Sequence, residues 1–376
     1  MIPTVHPRGD RRIVRCAQVA LDAGFRVHFV WLGDGYDQSQ DSAVGETLVR
    51  QPRTARERLG RLVKIRRLAE ELNGEVWHIH DFYFLGQALR WRKRSHHPVL
   101  YDVHEYYADY YSEKLPLPSW GQRLVAKILE GYQVRVARRL GAANVVAEAM
   151  APSFRRAGVP VAVSPNYPLL AHFGAVPSRP FSERRWNVVH TGTLTSSYGT
   201  EFLVQIARRS LERGLPFEFT AIGRFPSIDH ERAFDSILAD AGTPTNLHIV
   251  PPRPTHEIPS LLSDAGFGLS LITATRQNEA AIASKSFEYV IAGLVNVVTD
   301  RRAQSDFVRE HAVSVIGDEE STDAMLDEML ELAENADQTD ITLADKAASA
   351  RRLFTWEQAV EPGLSSLLKQ LRPPVS

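Results

Sequence analysis

The stretch YDVHEYYADYY, residues 101–111, sets one histidine between an aspartate and a glutamate and holds five of the chain's eleven tyrosines. Asp102, His104, Glu105 and Asp109 are all metal-capable types. On a strand, however, His104 shares a face with Asp102 while Glu105 points the other way, which is poor geometry for chelation. A structural histidine, or a polar group aimed into a cleft, then remains. The tyrosines suit a carbohydrate: their rings stack on the apolar faces of sugars and their hydroxyls bond to sugar oxygens. Tyr106 and Tyr107 stand nearest the histidine, and some of the five would equally serve to pack a helix on a sheet. Upstream, EVWHIHD (75–81) ends in a second polar pair, His80 and Asp81.

Two further stretches carry chemistry. VVHTGTLTSSYG (188–199) reads as a strand, a small-residue loop holding Gly192 and Thr193, and a helix start after Gly199. Free backbone N–H groups at such a loop and helix N-terminus suit a phosphate, and a plain strand-to-helix turn has the same composition. IASKSFEYVIAG (282–293) puts Lys285 and Glu288 three apart, on one face of a helical turn. They form either a surface ion pair or a binding pair. In the second case Lys285 meets a diphosphate and Glu288 accepts hydrogen bonds from ribose hydroxyls.

The elements that must position these residues alternate. Helical spacing over 11–25 is followed by a strand at 26–33, a basic amphipathic helix at 56–73, a strand at 75–81, a helix at 82–96, a strand at 98–105, a long helix at 119–140 and a strand at 143–149. After a proline-rich stretch (164–180) the alternation resumes, with strands expected at 186–194, 216–223, 246–250, 267–272 and 294–300. Strands alternating with helices imply parallel sheets covered on both faces, with ligands beyond the carboxyl ends of the strands. The expected organisation is an α/β chain of two tandem doubly wound domains. They cover residues 1–165 and 186–350, joined by a linker at 166–185 and followed by a terminal helical segment at 351–376 that Pro362 breaks.

Composition agrees. At 376 residues, with 44% hydrophobic and 24% charged residues, the chain has material for two cores. One cysteine excludes an internal disulfide framework and a cysteine-based zinc site. The N-terminus lacks the apolar region of a secretory signal, and no run approaches the ~20 residues that span a bilayer, so a cytoplasmic protein is expected. Residues 1–165 carry 25 Lys and Arg against 17 Asp and Glu, and residues 166–376 carry 19 against 28. The basic excess at 50–67 and 90–94 is either a pair of solvated helix faces or a surface that meets something anionic, such as acidic lipid headgroups or a phosphorylated acceptor. No nucleic-acid motif accompanies it, so nucleic acid is not an expected partner.

Taken in order, HIHDFYFLGQAL, LYDVHEYYADYY, NVVHTGTLTSSYG, LSDAGFGLSLI, SKSFEYVIAGLVNVV and FTWEQ resemble the retaining family-4 glycosyltransferases, which have the GT-B architecture of two Rossmann-like domains, an interdomain cleft and a C-terminal helix. The resemblance runs from about residue 8 to about residue 370. It implies a hexosyltransferase working from a UDP- or GDP-sugar donor onto a hydroxyl acceptor, without a bound metal or other cofactor. The acceptor would be a lipid-linked or cell-envelope glycan, and the enzyme would be cytoplasmic with peripheral membrane contact. By the same resemblance His104 contacts the donor sugar near the reacting carbon, and Gly192 and Thr193 lie beside the diphosphate. Lys285 faces the donor, Glu288 grips the ribose, Val250 and Pro251 lie near the base, and Arg224 approaches phosphate. Asp81, Glu105, Tyr106 and Tyr107 form the acceptor side. Three departures stand out. The family's first glutamate, eight before Glu288, falls on Ala280, with Glu279 one off. Tyr198 stands where a Lys or Arg is usual. MIPTVHPRGD is too short and polar for the family's opening strand. With those departures, the competing reading is a non-catalytic nucleotide-sugar-binding partner, or an epimerase or hydrolase on the same fold.

Overall fold

The computed structural model describes residues 1–32, 44–50, 54–173 and 179–372; part of the expected linker, 174–178, lies outside them. The chain divides into two compact units, Met1–Asn166 with Ala359–Ser376, and Tyr167–Gln358.

Among the described residues the first unit has seven parallel strands: β1 (Ile2–Pro7), β2 (Val27–Leu32), β3 (Val44–Val49), β4 (Trp77–Ile79), β5 (Val99–Val103), β6 (Gly141–Val145) and β7 (Val161–Val163). They form two ladders, β1-β2-β3 and β4-β5-β6-β7. Met1 ties the ladders together: its nitrogen donates to the Val76 carbonyl and its carbonyl accepts from His78 N, each at 2.9 Å. Pro3 and Pro7 lack the N–H groups a ladder needs, so the junction is carried by Met1 and by side chains. The resulting order, 3-2-1-4-5-6-7, is that of a doubly wound sheet.

This corrects the expectation that MIPTVHPRGD cannot be a strand. Ile2, Thr4 and Val5 are buried in β1, parallel to β2. The polar character is satisfied at long range. Asp81 Oδ2 accepts from the Thr4 hydroxyl at 3.0 Å and from Val5 N at 3.1 Å.

Helices cover the sheet: α1 (Arg11–Asp22), α2 (Ala55–Glu71), α3 (Leu85–Ser95), α4 (Tyr107–Glu113) and α5 (Ser119–Leu140). Asp10 caps α1, its carboxylate accepting from Arg12 N and Ile13 N. Thr54 and Glu57 form a capping box on α2. Trp77 stacks on Trp91 of α3 at 4.1 Å, within a core that α5 closes with Val136, Ala137 and Leu140.

Among its described residues the second unit has one six-stranded parallel sheet of β8 (Asn187–Thr193), β9 (Glu218–Arg224), β10 (Leu247–Val250), β11 (Phe267–Ser270), β12 (Val295–Thr299) and β13 (Ser314–Gly317). Its order is β10-β9-β8-β11-β12-β13, so the winding reverses between β8 and β11. Both units are Rossmann-like.

The terminal segment differs from expectation. Pro362 does not break a helix; it sits in the first turn of Glu361–Gln370, where a missing N–H costs nothing. That helix belongs to the first unit and packs on α1 and β7.

Candidate active site

In the second unit the carboxyl end of β8 lies at the switch point, the usual ligand position in such a sheet. Gly192 has φ +119°, a conformation that L side chains rarely adopt. Its carbonyl lies so close to Gly223 that a Cβ there would sit 2.0 Å from the oxygen. Two glycines thus let β8 and β9 converge where the loop begins. The β8–β9 register sets Arg224 beside Thr193, and Val250 ends the next strand. After the turn Ser196–Tyr198, Gly199 at φ +70° caps the helix Thr200–Glu212. Gly199 packs so tightly on Leu271 that a Cβ would come within 2.5 Å of it.

The helix Ser284–Ile291 brings in Lys285 and Glu288. Lys285 is buried, not on the surface, with Nζ 3.2 Å from Nε2 of His190 on β8. Burial pulls its pKa down to about 7, against the opposing charge of Glu288. Burial, and then the Lys285 charge, hold His190 far below the ordinary histidine range. Burial thus disfavours the charge on Lys285 beside a neutral imidazole at a strand end, and an anion placed there would favour the charged form. His190 was not singled out in the sequence, although it lies in the quoted loop phrase. Tyr289, the next residue after Glu288, fixes the helix: Thr191 N donates to its hydroxyl at 3.0 Å and the hydroxyl donates to the Leu269 carbonyl at 3.3 Å.

The departures resolve as follows. Glu279 is engaged elsewhere, its carboxylate accepting from Arg302 N at 3.0 Å at the start of the helix Arg302–His311. Tyr198 is exposed, with its ring centroid 5.9 Å from Lys285 Nζ, so an aromatic face rather than a second cation neighbours the lysine.

In the first unit the ends of β1, β4 and β5 bring together His6, His80, Asp81 and His104. His104 Nε2 lies 2.8 Å from the His80 carbonyl, which can only accept, so Nε2 carries the proton and Nδ1 is the acceptor. The Tyr107 hydroxyl donates to the same carbonyl at 3.1 Å. Burial lowers the His104 pKa, and the ring is neutral near pH 7. His6, also missed in the sequence, meets His104 edge-on at 5.2 Å between ring centroids. Its nitrogens lie 3.3 Å from Asp10 and 3.4 Å from Asp81. Burial opposes protonation of His6, but the Asp10 contact and the charges of Asp81, Asp10 and Asp102 outweigh it and raise the pKa.

Asp81 is buried, Glu105 is exposed and Tyr106 is half-buried. Of the five tyrosines, Tyr101 and Tyr107 are buried, and Tyr107, Tyr111 and Phe82 pack α4 to the sheet. Tyr110 is exposed under Lys114, whose Nζ lies 3.6 Å from the ring centroid.

Asp102 lies deeper. Its Oδ1 accepts from Arg12 at 2.7 and 3.0 Å, and its Oδ2 from Asn144 at 3.1 Å. Arg12 also donates to the Ser164 carbonyl at 2.7 Å and to Asn166 at 2.9 Å. Burial would raise the Asp102 carboxyl; the Arg12 charge and the histidines bring it well below the usual range. Among the described residues, Cys16, His78 and Asp102 place ligand-type atoms within 4.8 Å of one another. With donors from Arg12 and Asn144 already on the carboxylate, this group reads as a hydrogen-bond hub that ties α1, β5, β6 and the end of β7 beneath His104.

Comparison with known proteins follows the same division. A family model, Glycosyltransferase Family 4, matches residues 9–167. No curated protein matches the sequence. Among solved structures the chain is similar to sucrose-phosphate synthase from Thermosynechococcus elongatus (TM-score 0.73, 14% identity, 98% of this chain and 95% of that one). It is also similar to Anabaena HepE in complex with UDP and glucose (0.68, 12%, 98% and 98%) and to a UDP-forming α,α-trehalose-phosphate synthase from Burkholderia vietnamiensis (0.67, 14%, 99% and 99%). Residues 9–167 thus match the Glycosyltransferase Family 4 model, and the chain as a whole has the two-domain GT-B fold.

Proposed function

We propose that this protein moves a hexose from a nucleoside-diphosphate sugar to a hydroxyl acceptor, with retention and without a bound metal. The observation that carries the reading is Lys285, buried against His190 at the β8 switch point and one helical turn from Glu288. In this reading Lys285, Gly192, Thr193 and Arg224 meet the diphosphate, Glu288 holds the ribose and Val250 borders the base. Helix N-termini and the ammonium stabilise the charge that develops on the leaving diphosphate. His104, with its proton fixed on Nε2, offers Nδ1 as acceptor on the sugar side; Asp81, Glu105, Tyr106 and Tyr107 belong to that side. UDP is the first base to test, because the similar Anabaena structure holds UDP and glucose. The acceptor we favour is a lipid-linked or envelope glycan, met at a cytoplasmic membrane surface by the basic first unit.

A thermal-shift screen against UDP, GDP, ADP and CMP, followed by transfer assays with the matching sugars, tests this. The expected result is one responsive nucleoside diphosphate. His104→Ala is expected to lose roughly 100-fold or more in turnover while binding that nucleotide as before. Unchanged turnover removes His104 from this role. The occupied Glu279 and the absence of a cation at Tyr198 favour a second reading, a nucleotide-sugar-binding partner without turnover. A nucleotide response with no transfer to any acceptor would select it.

A further inference from the structure

The long helix α5 buries one face and leaves another uncovered. Gly121, Gln133, Val136, Ala137 and Leu140 face the core. On the opposite face Trp120, Leu124 and Ile128 follow at four-residue steps, each drifting about 40° around the axis. They are 72%, 53% and 62% exposed. The loop before the helix extends the ridge with exposed Leu115 and Leu117. Of the chain's six tryptophans, Trp120 alone is exposed. Large apolar side chains in a continuous exposed row are unusual on a soluble surface and mark a contact.

The charges beside the row identify the occupant. Arg123 and Lys127 are exposed along its edge, Lys114 lies at its loop end, and Arg135 and Arg138 continue the same side. No carboxylate occurs between Lys114 and Leu129, and the exposed Glu130 that follows accepts from the Ser153 hydroxyl at 2.6 Å. A two-fold dimer through this face would set the cations against themselves. A convex helix with apolar residues flanked by cations fits a plane of negative headgroups over hydrocarbon. We propose that the outer face of α5, with Leu115 and Leu117, docks the protein on an anionic lipid bilayer. Trp120, Leu124 and Ile128 enter the headgroup–acyl boundary, and Arg123 and Lys127 meet the headgroups. No helix among the described residues is long and apolar enough to cross a membrane, so the contact is peripheral. The surface deepens the membrane-side reading of the acceptor and rests on that reading for its biological meaning.

The test uses the full chain, phosphatidylglycerol–phosphatidylcholine vesicles and pure phosphatidylcholine vesicles, in about 0.05 M and about 0.5 M salt. Expected are co-sedimentation with the anionic vesicles at low salt, release at high salt, and quenching of tryptophan emission by lipids brominated on the acyl chain. The surface variant Trp120→Ser/Leu124→Ser/Ile128→Ser is expected to lose roughly tenfold or more in vesicle affinity and to lose the quenching. Arg123→Gln/Lys127→Gln is expected to weaken binding at low salt only. Three results would overturn the proposal: no binding of the wild type to anionic vesicles at low salt, wild-type binding by the triple variant, or a wild-type dimer that the triple variant dissociates without any vesicle affinity. UDP-induced stabilisation, measured on the same proteins without vesicles, tests the transfer reading separately, so either can fail alone.

Discussion

Lys285 offers a direct check on the proposed donor site, because its protonation should then be linked to nucleotide binding. Its pKa lies near 7 against an ordinary 10.5, which corresponds to about 5 kcal/mol of disfavoured charge. A diphosphate against Nζ supplies the missing counter-charge and pulls the pKa back up. The free protein then holds about half a proton on this group at pH 7 and the complex holds a whole one, so binding takes up about half a proton at pH 7 and nearly a whole one at pH 9. Nucleotide affinity should fall above pH 7, by up to tenfold per pH unit. From pH 7 to 9 this amounts to as much as about 50-fold if the complex titrates well above 9. The terminal phosphate titrates near 6, so it does not contribute in this window. Replacing the ammonium by an isosteric apolar chain, Lys285→Met, removes a charge-assisted contact of about 1.5–3 kcal/mol, a loss of roughly 10- to 150-fold at pH 7, and should flatten the profile. Calorimetric titration with the nucleoside diphosphate, in buffers of different ionisation enthalpy, reads affinity and proton uptake together. A wild-type affinity constant from pH 7 to 9, or a Lys285→Met variant that keeps the slope, would refute the assignment of Lys285 to the diphosphate.

Two other expectations follow from the same geometry. Gly223→Ala places a methyl 2.0 Å from the Gly192 carbonyl oxygen, and backbone must move to admit it; nucleotide affinity should drop at least about tenfold while the second unit stays folded by circular dichroism, and unaltered affinity would detach the β8 loop from the site. His80 and His190 are fully buried with pKa values depressed well below 6.5 by burial. Unfolded chains take up these protons below pH 6.5 and the folded protein does not, so stability is expected to fall as pH drops below 6.5, by up to ~1.4 kcal/mol per pH unit for each histidine. Urea midpoints that stay constant between pH 7 and 5 would contradict it.

The alternation of elements was readable because a parallel α/β sheet writes each strand as a short apolar run between helical repeats. What escaped was held by partners far along the chain. Thr4 and His6 look like loop residues until Asp81, more than seventy residues on, supplies the acceptor for one and the counter-charge for the other. Arg12 reads as an exposed helix cation, yet Asp102 and Ser164 receive it in the core. Lys285 and Glu288 were visible as a helical pair, but the burial that tunes the lysine comes from β8, and its neighbour His190 carried no local signal. Four-residue spacing of Trp120, Leu124 and Ile128 was present in the sequence too; only the sheet position of α5 reveals that this face, and not its opposite, is the uncovered one.

The return of the helix Glu361–Gln370 to the first unit has a consequence for synthesis. Arg372 donates to the carbonyls of Ala23 and Gly24 at 3.2 and 2.7 Å and stacks on Phe25 at 4.6 Å. Topologically, the second unit is therefore an insertion inside the first. A ribosome reaches Ala359 only after Tyr167–Gln358 has been made, so the nested unit is free to mature while the enclosing one still waits for its last helix. Nascent first unit lacks the cover over α1 and β7 for that whole interval, and truncation before Ala359 would leave the inserted half intact and the enclosing half the one exposed to chaperones and proteases.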